Sequence, residues 1–116
     1  MVTFEEFVRL GLELPQSHEQ ITWGSEHTLR VGEKIFAMGA PESGEVSVKA
    51  SQEEQKELIA ADPDTFSAAP YVGRFGWVRV ALAGVDAREL GELLTDAWRR
   101  TAPKRIVRAF DDARSE

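Results

Sequence analysis

The chain has 116 residues, of which 42% are hydrophobic and 29% are charged, a composition typical of one soluble globular domain. Its formal net charge of −6 argues against a polycation that coats nucleic acid. The lack of cysteine excludes disulfide bonds and thiol nucleophiles and agrees with a cytoplasmic location. The N-terminus lacks the apolar segment of a signal peptide, and no apolar run approaches the ~20 residues of a membrane span.

The first predicted element is a helix. Thr3 and Glu6 form a capping box, in which each side chain can accept a hydrogen bond from a backbone amide of the first turn. Apolar residues then recur at helical spacing up to Leu12, and Pro15 ends the helix. Gly11 lies on the apolar face, where we expect it to let the helix approach a sheet closely.

Three strands are predicted next. The stretches 28–31 and 34–38 are rich in β-prone residues and flank the dipeptide Gly32-Glu33, which predicts a hairpin. The stretch 45–49 alternates between apolar and polar residues and predicts the third strand.

The second half of the chain repeats the pattern of capped helices and short strands. Ser51 begins a capping sequence whose helix ends at Pro63. Residues 66–72 are predicted to be irregular or weakly extended. Pro70 restricts this segment to an edge strand or a loop. Residues 77–82 alternate strongly and predict a strand. Its apolar side chains, Val78, Val80 and Leu82, are expected to face the helices.

A long last helix is predicted to begin at Asp86, and Pro103 breaks or kinks it before further helical turns up to Phe110. Its inward stripe is Leu90, Leu93, Leu94, Ala97, Trp98 and Thr101. The order α-β-β-β-α-β-β-α predicts a two-layer α+β fold, with an antiparallel sheet and helices on one face. We expect one domain over residues 1–110 and a polar C-terminal tail over residues 111–116.

Cations are concentrated near the end of the chain. Residues 99–108 contain no acid and carry Arg99, Arg100, Lys104, Arg105 and Arg108. One interpretation is a solvated helix end, where cations complement the helix dipole. The other interpretation is an anion-binding patch.

The segment 71–80 combines aromatic residues, glycine and arginine. One interpretation is a structural turn, since the glycines around Arg74 and Phe75 permit positive φ. The other interpretation is an open surface on which Arg74 and Arg79 lie beside Trp77. Such a surface suits base stacking, phosphate contact or an acidic protein partner.

No residue pattern is typical of an enzyme or a metal site. His18 and His27 are the two histidines, whereas metal sites usually need three or four convergent ligands. The serines have no base implied beside them. We therefore predict no catalytic residue, no metal and no cofactor.

Several motifs span nearly the whole chain: Trp23-Gly24, Arg30 to Ala37, Val46 to Lys49, Tyr71 to Val78, and Leu93 to Arg99. Together they resemble the MmcQ/YjbR family of small bacterial proteins. That resemblance implies a CyaY-like fold and a non-enzymatic DNA-binding function through phosphate-backbone contacts. The candidate nucleic-acid-binding residues are Arg74, Trp77, Arg79, Arg99, Arg100, Lys104, Arg105 and Arg108.

A second function stays open beside DNA binding. The acidic balance of the chain, and the outline that the family shares with secretion chaperones, favour a module that binds a protein or a small ligand. For either function we expect a cytoplasmic monomer or weak homodimer without a membrane partner.

Overall fold

A computed structural model of the chain describes residues 1–114. The helices are α1 (Phe4–Leu12), α2 (Gln52–Ala61), α3 (Ala87–Thr101) and α4 (Lys104–Arg114). The strands are β1 (Ser17–Thr22), β2 (Glu26–Val31), β3 (Lys34–Gly39), β4 (Glu45–Val48), β5 (Phe66–Ala68) and β6 (Val78–Ala81). They form one antiparallel six-stranded sheet in the order β1-β2-β3-β4-β6-β5. The predicted α+β class and element order are confirmed.

The helices begin where the capping residues predict. In α1 the Thr3 hydroxyl accepts from the Glu6 amide at 3.1 Å, and the Glu6 carboxylate accepts from the Thr3 amide at 3.0 Å. The hydrogen bond from the Thr3 amide lowers the pKa of the Glu6 carboxyl, because it favours the ionised form. Ser51 and Asp86 accept from amides three residues later in the same way. Local side-chain chemistry therefore determines all three helix starts.

The core lies between the helices and one face of the sheet. Val78, Val80 and Leu82 are buried on this face, as predicted. Leu94 and Trp98 of α3 are fully buried in the same core, and the Trp98 indole donates to the Pro15 carbonyl at 3.0 Å. The register places one row of cross-strand neighbours on the opposite face: Gln20, Thr28, Met38, Ser47, Arg79 and Ser67.

Gly11 lies where α1 meets the sheet. A Cβ atom at this position would overlap the Leu29 side chain of β2. The expected close approach of the helix to the sheet is confirmed.

Strand β1 is an addition to the predicted elements. Its six residues pair with β2 along their whole length, but most of its side chains are exposed because it is an edge strand. Since neither face is well buried, the sequence of β1 shows no clear apolar alternation, which is the signal that predicts a strand.

Helix α4 forms after Pro103 and docks through the buried Ile106, so the predicted further helical turns are confirmed. It continues to Arg114, within the segment expected to be a polar tail. Residues 115–116 of that segment lie outside the described residues. No described helix has the length and apolar character of a membrane span.

Candidate nucleic-acid interface

The antiparallel register separates the connections of the sheet into two opposite ends. The β2–β3 turn, the start of α2 and the β5–β6 connection lie at one end, with the junction of α3 and α4. We call it the basic end. Its cations are Lys34, Lys49, Arg74, Arg100, Lys104 and Arg105, and the acids at this end are Glu13 after α1, Glu33, Glu53 and Glu54.

The opposite end contains the β1–β2 and β3–β4 turns, the end of α2 and the start of α3. We call it the acidic end. Arg88, an exposed residue of the first turn of α3, is a cation at this end. The acids there are Glu26, Glu42, Glu45, Asp62, Asp64, Asp86 and Glu89. The molecule is therefore electrically polarised along its strands.

A groove of about 740 Å³ opens at the basic end. Four cations line it: Lys34 from the start of β3, Arg100 from the end of α3, and Lys104 and Arg105 from the first turn of α4. Glu33 is the acid in its lining. We call it the basic groove. Four positive charges around one concavity favour an anionic ligand.

The start of α4 adds to this positive potential. The amides of Ile106 and Val107 donate to the Pro103 carbonyl, whereas within residues 1–114 those of Lys104 and Arg105 make no hydrogen bond. Free amides and the positive end of the helix dipole both favour an anion.

Arg100 also makes an ion pair within the protein. Its Nη1 lies 3.5 Å from Glu54 Oε1, and both side chains are about one-third exposed or less. Burial raises the pKa of the Glu54 carboxyl, while the Arg100 charge acts in the opposite direction. Arg100 is thus shared between α2 and the basic groove.

Arg99, a predicted site residue, lies outside the basic groove. Its guanidinium makes a two-pronged ion pair with Asp111, with N–O distances of 2.6 and 2.8 Å. The hydrogen bond from Arg99 lowers the pKa of the Asp111 carboxyl. The same hydrogen bond raises the pKa of the Arg99 guanidinium. The guanidinium also lies 5.4 Å from the centre of the Phe110 ring. Arg99 therefore fastens α4 to α3.

Arg79 and Arg108 are also separated from the groove. Arg79 lies on the face of the sheet opposite the helices, and its Nη1 is 3.7 Å from Glu45 Oε1. Arg108 is exposed on α4 but does not line the groove. Of the predicted site residues, the structure brings Arg100, Lys104 and Arg105 together.

Arg74 and Trp77 lie in the connection between β5 and β6, at the basic end. Arg74 is exposed, and its guanidinium lies 4.8 Å from the centre of the Phe75 ring. Trp77 is half-buried next to Val78, on the other side of the strand. Arg74 therefore lies in the connection, whereas Arg79 lies in strand β6 with Glu45 as its partner.

Lys34 is a groove residue that sequence reasoning missed. It follows a Gly-Glu turn in the middle of an acidic part of the chain, so its local composition contains no signal of a basic site. Only the sheet brings this turn to the junction of α3 and α4.

The histidines do not form a metal site. His27 Nδ1 lies 2.5 Å from Glu19 Oε2, and the Phe4 ring packs edge-on against the imidazole. His18 is exposed on β1. Within residues 1–114, no group of three or more His, Asp or Glu side chains is arranged to hold a metal ion.

The fold and the groove define a small α+β domain with a cationic concavity at one end. The family model described as YjbR matches residues 12–100. The chain therefore belongs to the YjbR family. Lys34 and Arg100 fall within the matched residues, and Lys104 and Arg105 follow them.

Relatives agree with this membership. Uncharacterised proteins of Mycobacterium tuberculosis and Mycobacterium bovis are each 34% identical over 128 residues, covering 95% of this chain and 96% of theirs. The crystal structure of a Deinococcus radiodurans protein with a DUF419 domain superposes with a TM-score of 0.76 at 27% identity. That superposition covers 84% of this chain and 77% of the other.

Proposed function

We propose that this YjbR-family protein is a non-enzymatic, cytoplasmic DNA-binding protein that contacts the phosphate backbone through the basic groove. The observation that carries the proposal is the convergence of Lys34, Arg100, Lys104 and Arg105 around one concavity. Lysine and arginine bind phosphate through their charge and through hydrogen bonds from their N–H groups. These contacts do not depend on the base sequence. We therefore expect binding without marked sequence preference.

The affinity should be low and sensitive to salt. Two or three simultaneous phosphate contacts predict a slope of about −2 to −3 for log K against log salt, from about −0.9 per phosphate. The net charge of −6 repels DNA at longer range and lowers the affinity, whereas the release of counterions from the phosphates favours binding most at low ionic strength. Binding should therefore be detected most readily below about 50 mM salt.

The experiment measures fluorescence anisotropy of a labelled DNA duplex at several salt concentrations. The triple variant Lys34→Ala, Lys104→Ala, Arg105→Ala should bind more weakly and with a slope no steeper than about −1, because Arg100 is the groove cation that remains. The matched control is Arg88→Ala, which removes an exposed cation from the acidic end and should leave the slope unchanged. All four side chains are at the surface, so their removal should change the free energy of unfolding by no more than about 0.5 kcal/mol each.

Two outcomes would contradict the proposal. If the triple variant and Arg88→Ala bind the duplex with the same slope, the basic groove does not contact phosphate. If the wild-type protein does not bind at low salt, DNA binding itself is rejected.

A different observation favours the alternative function, a module that binds a small ligand. A pocket of about 270 Å³ lies between α1 and the sheet. Phe4, Val8 and Pro41 supply apolar walls, and the paired Glu19 and His27 supply polar groups. Apolar walls with a few polar groups are typical of small-molecule sites. If the protein does not bind DNA, this pocket becomes the leading candidate for the binding site.

A further inference from the structure

Aromatic side chains are exposed in the β5–β6 connection. Tyr71 is 95% exposed and Phe75 is 61% exposed, whereas large aromatic residues usually bury most of their surface. Tyr71 also has a φ of 65°, which residues other than glycine rarely adopt. We call residues 69–77 the aromatic loop.

Two glutamines of α2 fasten the aromatic loop. Gln52 donates to the Arg74 carbonyl at 2.7 Å, and Gln55 donates to the carbonyls of Gly73 and Trp77 at 2.8 and 2.6 Å. A loop fixed before binding loses little conformational entropy when a ligand arrives. The aromatic rings are therefore presented on a preorganised surface.

Gly76 makes this fastening possible. Its φ is 103°, and a Cβ atom there would lie 2.6 Å from the Ala50 carbonyl oxygen. Only glycine combines this backbone conformation with such a close approach to the start of α2.

The aromatic loop and the basic groove lie on two sides of α2. Glu54 contacts Arg100 of the groove, and the next residue, Gln55, holds the loop. Successive residues of a helix point about 100° apart, so the two surfaces lie on neighbouring sides of α2. An oligonucleotide of several nucleotides is long enough to reach both.

We propose that the aromatic loop selects single-stranded DNA by stacking unpaired bases on Tyr71 and Phe75, while the basic groove holds the phosphates. In a duplex both faces of each base are covered by neighbouring base pairs, so only an unpaired strand can stack on the rings. Arg74 supplies a cation beside the Phe75 ring. This inference rests on the proposed function and names the form of DNA.

The experiment compares an oligothymidylate of about twelve nucleotides with a duplex of the same length. Tyr71→Ala and Phe75→Ala should each weaken binding of the single strand by about tenfold and leave duplex binding within about twofold. Phe75→Tyr, which keeps a ring, should retain binding of the single strand. The matched control is Trp23→Ala, because Trp23 is 75% exposed at the acidic end and should have no effect.

The outcomes separate this inference from the proposed function. If the two DNA forms bind equally well and the loop variants match Trp23→Ala, the inference is wrong, while weaker binding by the groove variant would still support the proposed function. If Phe75→Tyr loses binding as Phe75→Ala does, stacking is rejected as the cause. If neither DNA form binds, both proposals fail. Thermal unfolding of each variant shows whether the fold is retained.

Discussion

The two ends of the sheet are built from the same strands but carry opposite charge. The basic end gathers cations from β3, α3 and α4 around one groove, whereas the acidic end collects carboxylates from its turns and helix ends. The net charge of −6 averages over both ends and conceals this polarity. Net charge alone is therefore a poor guide to what one surface of a small domain can bind.

The ends also differ in how their exposed aromatic residues are held. Trp23 at the acidic end lies in a hairpin turn, and its φ of 48° is left-handed. At the basic end, Gln52 and Gln55 fasten the aromatic loop to a helix. Both ends expose an aromatic ring. At the basic end, however, the rings lie in a loop that is anchored to a helix and accompanied by a basic groove.

The largest expected effect tests whether both ends depend on one core. Leu94→Ala should lower the free energy of unfolding by about 2–5 kcal/mol, because it removes a fully buried side chain and leaves a cavity. Urea unfolding followed by circular dichroism and by tryptophan fluorescence should show one transition. The matched control is Leu12→Ala, since Leu12 is 41% exposed and should cost no more than about 1 kcal/mol. Equal losses for the two variants would contradict the assignment of the core.

The next effect is confined to the basic end. Gln55→Ala removes the hydrogen bonds to the Gly73 and Trp77 carbonyls and should lower the free energy of unfolding by about 1–3 kcal/mol. Hydrogen exchange should become faster at the amides of residues 73–76 and remain unchanged in the β3–β4 turn. Gln20→Ala, on the exposed edge strand β1, is the control. Faster exchange at both ends would mean that Gln55 stabilises the whole domain rather than the aromatic loop.

The smallest effect concerns Glu54, which competes with phosphate for Arg100. Glu54→Gln should tighten duplex binding by about two- to fivefold, the range expected from releasing one partly exposed ion pair. The control is Glu53→Gln, which removes the same charge from an exposed neighbour. If both variants tighten binding equally, net charge rather than the Arg100–Glu54 contact is responsible.

The same residue predicts a pH dependence. Because burial raises the pKa of Glu54, the folded protein binds this proton more tightly than the unfolded chain does. Its contribution to stability is therefore favourable at low pH and is lost as the pH rises through the raised pKa. Urea midpoints measured across that range should fall less with rising pH in Glu54→Gln than in the wild-type protein. An identical pH profile would contradict this assignment.

Much of the fold could be predicted because its signals are local. Thr3, Ser51 and Asp86 begin helices by accepting from amides three residues away, and the inward stripe of α3 follows from helical periodicity. Strand β1 escaped prediction because an edge strand needs little apolar alternation. Its existence depends on pairing with β2, which is a tertiary contact.

The candidate site could be predicted only in part, as Arg99 and Arg100 show. They are adjacent in an all-cationic segment, and the sequence treats them alike. Successive residues of a helix point about 100° apart, so Arg99 reaches Asp111 of α4 whereas Arg100 reaches Glu54 and the basic groove. The sequence by itself determined the helices, the alternating strands and the presence of a cationic segment, because these depend on neighbours in the chain. Only the tertiary structure decided which cations meet, because the packing of distant elements brings Lys34 to Arg100 and Lys104 and turns Arg99 away from them.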